Sequence, residues 1–528
     1  MSKWDKHKII TRSIWILLIL FQVICMLTIN LNSRPSGDEW FTYGLSNNTD
    51  GHIFMNEKWI NEKTDGTGWL QTENFKNYLL VNEGEEFDYG SVLYNQKKDV
   101  HPPLYYILIH TLCSFSSEEA QLIQGGILNV IFLIAINLIL WIMGKELFTS
   151  DYERLLPAFA LCLSGSTAVL YSYDRMYTML AFFCLCITCL QLKLRKDMEN
   201  RKYLVLTAVV TCLGCLTHYY FYMYLFAAFV IFAFERIILS KEKIKAMIPC
   251  VIAPCVGGII ALILYPTAVK HVLFSYRGEQ IRDGLFGSKL EGFKAYYEVL
   301  DTYCFSGHLA EFIIIVVVLI LAGVFSKKMH VEVEKKNVLL LAGTIVFFYF
   351  IMAFISYEKV WSYVSPIYVP FALAISVAVM GALWFVPKKF RVIVGMLGMI
   401  LLLGNALLAE VESSIDTNEY NTEIDAMVET QQGRDCIFVY ESWNNLYDNR
   451  ILDLMNFDEV LSISLEEIMD TDIQAALALR RSADEIVVYL YDRNNENLEA
   501  QVSYLEESMG KEATLLFSSR KYSVFSMN

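Results

Sequence analysis

Long apolar runs dominate the first 410 residues, most of them separated by short polar turns, and short alternating runs broken by acidic stretches fill the rest. A helix needs about 20 apolar residues to cross the hydrocarbon core. About eleven runs qualify (a range of 10–13), near 14–31, 121–143, 155–172, 176–194, 203–217, 218–239, 247–266, 309–326, 338–356, 363–385 and 391–409. The first is too long for a signal sequence and lacks a small-residue cleavage site, so it reads as a retained span. Between the first two spans lies a polar stretch, 32–120, containing one shorter apolar helix at 103–115. Pro102 and Pro103 stand at its start, where fixed φ and a missing N–H are tolerated. With both its ends on one side, that helix lies along the membrane surface.

From about 410 onward the pattern changes. The runs "CIFVYE" (436–441), "EIVVYLY" (485–491) and "ATLLFSS" (513–519) alternate with helical stretches such as "NENLEAQVSYLEESMG" (495–510). Strands alternating with helices predict a small α/β domain with a parallel sheet. The expected division is thus a transmembrane domain, 1–409, which includes the loop 32–120, and a soluble domain, 410–528.

Composition agrees with a polytopic α-helical membrane protein: 55% of the 528 residues are hydrophobic and 19% charged, with a mean hydropathy of +0.39. Lys and Arg concentrate at the N-terminus and at 193–202, 236–245, 327–336 and 387–391. With eleven spans all of these fall on one side, which the positive-inside rule makes cytoplasmic. The loops at 32–120 and 267–308 and the tail are then extracytoplasmic. The tail carries 25 Asp and Glu against 8 Lys and Arg. Such acidity argues against nucleic-acid binding and against docking on anionic lipid. Five of the twelve cysteines (Cys184, Cys186, Cys189, Cys212, Cys215) fall inside spans, where they act as small apolar residues. No disulfide framework, phosphate loop, Walker motif, nucleophile elbow or internal repeat is present in the sequence.

The informative residues lie where spans meet the outer face. "SGDEWFTYG" supplies Asp38 and Glu39, and "DVHPPLYY" supplies Asp99 and His101. "SYDRMYTML" supplies Asp174, Arg175 and Tyr177, "LTHYYFYMY" His218, and "YEKVWSYVSP" Lys359; Arg277 lies in the loop at 267–308. Each has an ordinary explanation when taken alone. Acidic pairs after a span are usually solvated, Arg and Tyr anchor span ends, and a lone His often caps a helix. Together they put carboxylates, imidazoles and cations at one depth on one face. Such a cluster is costly beside a membrane, which favours a functional reading.

The order "GDE", "HPPLYY", "SYDRMY", "THYYF" resembles the membrane glycosyltransferases of the C-type fold. The likeness is to the group related to protein O-mannosyltransferases and the lipid A aminoarabinose transferase (glycosyltransferase family 39-like). It spans residues 10–240 and, more weakly, the later spans. Many relatives carry Lys where this chain has His101 and His218, and "YSYDRMY" is one residue shorter than the usual motif.

The resemblance implies a cell-envelope enzyme that moves a hexosyl or pentosyl group from a polyprenyl-phosphate donor to a hydroxyl of a glycan, lipid or protein acceptor, with inversion. Asp38 matches the catalytic acidic position and Glu39 its neighbour; such a carboxylate takes the acceptor proton. The leaving lipid phosphate needs cations or donors, with Arg175 the candidate for a bidentate fork and His101, Lys359 and Arg277 as helpers. Asp99, Asp174, Tyr177 and His218 complete the expected substrate site. No cofactor is required by the sequence; a divalent metal is an option, with Asp99, His101 and His218 as its candidate ligands. The alternative is a non-catalytic or flippase-like membrane protein handling lipid-linked sugars. A transporter places ionisable groups near mid-membrane on broken helices, whereas these gather at the outer surface.

Overall fold

The computed structural model describes residues 3–32, 37–64, 66–148, 151, 153–155, 158, 173–286, 289–305, 307–311, 313–314, 335–355, 423–441, 450–480, 485–491, 497–519 and 522–528. Among them, five helices are long and apolar enough to cross a membrane: His7–Thr28, Gln124–Leu147, Tyr177–Leu194, Tyr220–Leu239 and Ile244–Leu264. Arg201–Cys215 and Lys335–Ile355 cover two more of the expected runs. The runs expected at 363–385 and 391–409, and most of 155–172 and 309–326, lie outside the described residues. The chain divides into two compact units, Met1–Leu31 with Val100–Tyr105 and Gly125–Ser413, and Asn32–Asp99 with Tyr106–Gln124 and Ser414–Asn528.

The first unit is the membrane body. Helix Lys3–Asn32 turns Ile16, Leu17, Leu20 and Ile24 outward, as a lipid-facing helix does. Its buried Gln22 is paired, because Asn137 Nδ2 donates to Gln22 Oε1 at 2.7 Å. Amide bonds of this kind tie helices together where apolar surface supplies little drive. Close approach does the rest. A Cβ on Gly257 would fall 2.1 Å from the Ala208 carbonyl oxygen, so helices Ile248–Leu264 and Arg201–Cys215 meet backbone to backbone.

Charge gathers at one end of this body. Glu146 pairs with Lys193 and Lys196, and the fully buried Glu235 lies 3.5 Å from Arg195 and 3.7 Å from Arg236. These cations belong to two of the basic loops that the sequence places together. Asp174, Arg175, Tyr177 and His218 lie at the opposite ends of helices Tyr177–Leu194 and Tyr220–Phe234, which lead into these loops.

The second unit is built on a six-stranded sheet in the order β1-β3-β2-β4-β6-β5. The strands are β1 Trp69–Gln71, β2 Asp435–Tyr440, β3 Glu459–Ser464, β4 Ile486–Tyr491, β5 Ala513–Ser518 and β6 Tyr522–Met527. The expected parallel sheet is corrected to a mixed one. β3, β2 and β4 run parallel, but β6 is antiparallel to both β4 and β5, and β1 to β3. The connection from Ser518 to Tyr522 is too short for the crossover that parallel pairing needs. β1 comes from the first polar loop, which the expected division places with the spans. In the structure that loop shares a unit with the tail, and Trp69 sits in one core with Ile437, Val439, Leu461 and Ile463.

Candidate active site

Within the membrane body, the His-Pro-Pro segment is fixed by a backbone bond. Both prolines are buried, and helix Leu104–Ser114 starts directly after them. Neither proline has an N–H, and that of Leu104 donates to the Leu216 carbonyl at 3.0 Å. This bond ties the start of one motif to the end of helix Arg201–Cys215, and it brings two imidazoles together. The His101 and His218 ring centroids are 6.0 Å apart. His218 is buried, and its Nδ1 accepts the Tyr220 N–H at 3.1 Å. An Nδ1 that accepts leaves the ring proton on Nε2, so His218 offers one N–H donor in its neutral form. The Tyr177 and Tyr220 rings stand edge-on to it, at 5.8 and 4.5 Å between centroids.

The turn before helix Tyr177–Leu194 carries Asp174 and Arg175, only 7% and 5% exposed. An arginine that merely anchored a span end would reach for the interface; this one is enclosed. Three features shape the turn. The Arg175 N–H donates to the Tyr173 carbonyl at 2.7 Å. Asn129, fully buried on helix Gln124–Leu147, donates Nδ2 to that same carbonyl at 2.9 Å. One turn earlier on that helix, Gly125 leaves the space that Asp174 fills, since a Cβ there would lie 2.5 Å from the Asp174 carboxyl carbon. Tyr173 stacks on Tyr177 at 5.8 Å. His101, Asp174, Arg175, Tyr177 and His218 thus belong to one end of one unit.

The second unit holds the other carboxylates. Asp38 and Glu39 occupy the first turn of helix Gly37–Asn47, where the helix dipole favours negative charge. Asp38 is exposed and Glu39 is buried. Asp99 caps the C-terminal end of helix Tyr89–Lys98. Arg277 lies on helix Tyr276–Phe286, and Lys359 lies outside the described residues.

Of the candidate metal ligands, His101 and His218 belong to the membrane body and Asp99 to the second unit. Among the described residues no group of three or more His, Cys, Asp or Glu side chains is arranged to hold a metal ion. His218 has already given one ring nitrogen to Tyr220.

Sequence reasoning missed Gly125 and Asn129, because a small residue and an amide within an apolar run look like ordinary helix packing. Only their contact with a motif 44 or more residues away marks them.

No protein-family profile matches the sequence, and no curated protein does. Solved structures do match. The crystal structure of ArnT from Cupriavidus metallidurans bound to undecaprenyl phosphate superposes with a TM-score of 0.51 at 9% identity, over 97% of both chains. The chain has the fold of ArnT. This is the C-type glycosyltransferase fold, as the four motifs implied. An oligosaccharyltransferase from Archaeoglobus fulgidus in complex with Zn and sulfate gives a TM-score of 0.47 at 13% identity, covering 96% of this chain and 72% of that one.

Proposed function

We propose that the protein is an inverting glycosyltransferase, moving a sugar from a polyprenyl-phosphate donor to an acceptor hydroxyl on the outer face of the membrane. The observation that carries this reading is the enclosed Arg175, two residues before a Tyr177 that packs on the His218 of an imidazole pair, on a fold whose ArnT representative holds undecaprenyl phosphate. The acceptor oxygen attacks the anomeric carbon while the bond from that carbon to the phosphate oxygen breaks. Asp38 takes the hydroxyl proton, with Glu39 behind it. The departing phosphate keeps the bonding electron pair and meets the Arg175 guanidinium, which matches two of its oxygens. His101 and the His218 Nε2–H add donors, Arg277 and Lys359 add positive charge, and Tyr177, Asp174 and Asp99 shape the substrate site.

The direct test is a donor screen. Purified protein in proteoliposomes, incubated with radiolabelled polyprenyl-phosphate sugars, is expected to transfer or release sugar from at least one. Failure with every polyprenyl-phosphate sugar, alongside intact folding, would overturn the reading.

Topology can be checked independently. Single cysteines at the exposed positions Lys58 and Glu507 are expected to react with an impermeant thiol reagent in intact cells, and one at Glu199 only after permeabilisation. Equal labelling at Glu199 and Lys58 would overturn the span assignment, and with it the outer-face placement of the site.

Gly125→Ala probes the Asp174 pocket. Alanine is favoured over glycine within a helix by about 1 kcal/mol, so local propensity does not weaken the variant. The added methyl nevertheless collides with the Asp174 side chain. Donor KM is expected to rise several-fold in protein that accumulates normally, and kinetics identical to wild type would remove Asp174 from the donor site.

A further inference from the structure

The tail has no catalytic motif, yet it is built around part of the first loop. β1 pairs antiparallel with β3, Trp69 opposite Leu461 and Leu70 opposite Val460. Gly66 and Gly68 adopt φ of +77° and +79°, the left-handed region that lets the chain turn into this short strand. Trp69 and Leu70 are 3% and 0% exposed. The Trp69 indole donates Nε1–H to the Ala476 carbonyl at 2.8 Å, and Thr72 Oγ1 donates to the Phe457 carbonyl at 2.8 Å. The edge of β3, a row of backbone groups that would otherwise invite foreign pairing, is thereby covered by the protein's own loop.

The connection continues beyond the sheet. β1 leads at once into helix Glu73–Leu79, whose Phe75, Tyr78 and Leu79 are buried. Tyr78 packs against Gly44, so closely that a Cβ there would sit 2.1 Å from its ring. Asn47 Nδ2 donates to the Leu79 carbonyl at 2.7 Å. Gly44 and Asn47 belong to helix Gly37–Asn47, whose first turn carries Asp38. Six residues of helix, about 9 Å, separate Gly44 from Asp38.

We propose that the C-terminal sheet is a platform that holds helix Gly37–Asn47, and through it Asp38, in a fixed direction, with Trp69, Tyr78 and Gly44 as positioning residues. The functional half of this statement rests on the role proposed for Asp38. The tail therefore acts in turnover rather than in donor recognition, whose proposed groups Arg175, His101 and His218 lie in the other unit. Core packing tolerates a similar aromatic better than a truncation, which gives a graded series at Trp69.

Two measurements on the full-length protein test this. In Trp69→Ala, amide hydrogen exchange across residues 38–47 is expected to rise at least tenfold over wild type, with Trp69→Phe intermediate. Unchanged exchange there would overturn the proposal whatever the activity assay gives. In transfer kinetics, kcat of Trp69→Ala is expected to fall tenfold or more while donor KM stays at the wild-type value, and Trp69→Phe is expected to restore most of kcat. A raised donor KM with kcat intact would overturn the assignment of the platform to turnover. If Trp69→Ala does not accumulate, Gly44→Ala addresses the same contact without opening the core. It must push Tyr78 away, and wild-type exchange and kcat in that variant would likewise overturn the proposal. A wild-type protein with no transfer activity refutes the role of Asp38 and leaves the exchange result to decide the platform by itself.

Discussion

Asp38→Asn is expected to cut turnover about 10²–10⁴-fold, the usual cost of losing a general base, while donor affinity stays at its wild-type value. Asparagine keeps the shape of the side chain and cannot take the acceptor proton. Asp38 is exposed at the start of its helix and Glu39 is buried, so the two differ in access as well as in position. A steady-state comparison of Asp38→Asn, Glu39→Gln and wild type separates them. Wild-type turnover in Asp38→Asn together with loss in Glu39→Gln would transfer the base to Glu39.

Arg175→Lys is expected to lose tenfold or more in donor efficiency, about 1.4 kcal/mol or more of transition-state stabilisation. A span-end anchor needs only a cation on a flexible stem, and lysine serves as well as arginine. Bidentate recognition of a phosphate needs the planar fork, which lysine lacks. The enclosure of Arg175 and the bonds fixing its turn already favour the second role. Equal kcat/KM for the two variants, at equal accumulation, would return Arg175 to anchoring and leave phosphate recognition to other groups.

The membrane helices were legible because the hydrocarbon core imposes a length that few other settings demand. The His-Pro-Pro helix was legible for a similarly local reason, and its observed start at Leu104 is one residue from the expected one. The sheet was only half legible. β2, β4 and β5 are apolar enough to stand out, but "EVLSIS" and "YSVFSM" carry serines among their apolar residues, and "WLQ" is three residues long. The shortest of them, β1, takes its identity from a partner far away in the chain. Gly125 and Asn129 were hidden for the same reason: their meaning lies in a turn on another helix, and nothing adjacent to them in sequence announces it.

The distance between paired strands has a consequence for how the protein is made. Trp69 and its partner Leu461 are separated by 392 residues of chain (461 − 69). At roughly 5–20 residues per second, synthesis takes about 20–80 s to reach the partner strand. Throughout that interval Trp69 and Leu70 have no sheet to join, although the helices of the membrane body are already emerging. The first loop must therefore wait as an incomplete element, with its apolar strand available to any open edge, until the segment around Leu461 leaves the ribosome. Truncation late in the coding sequence removes more than the tail itself, because it strands the loop that carries Asp38 in that waiting state.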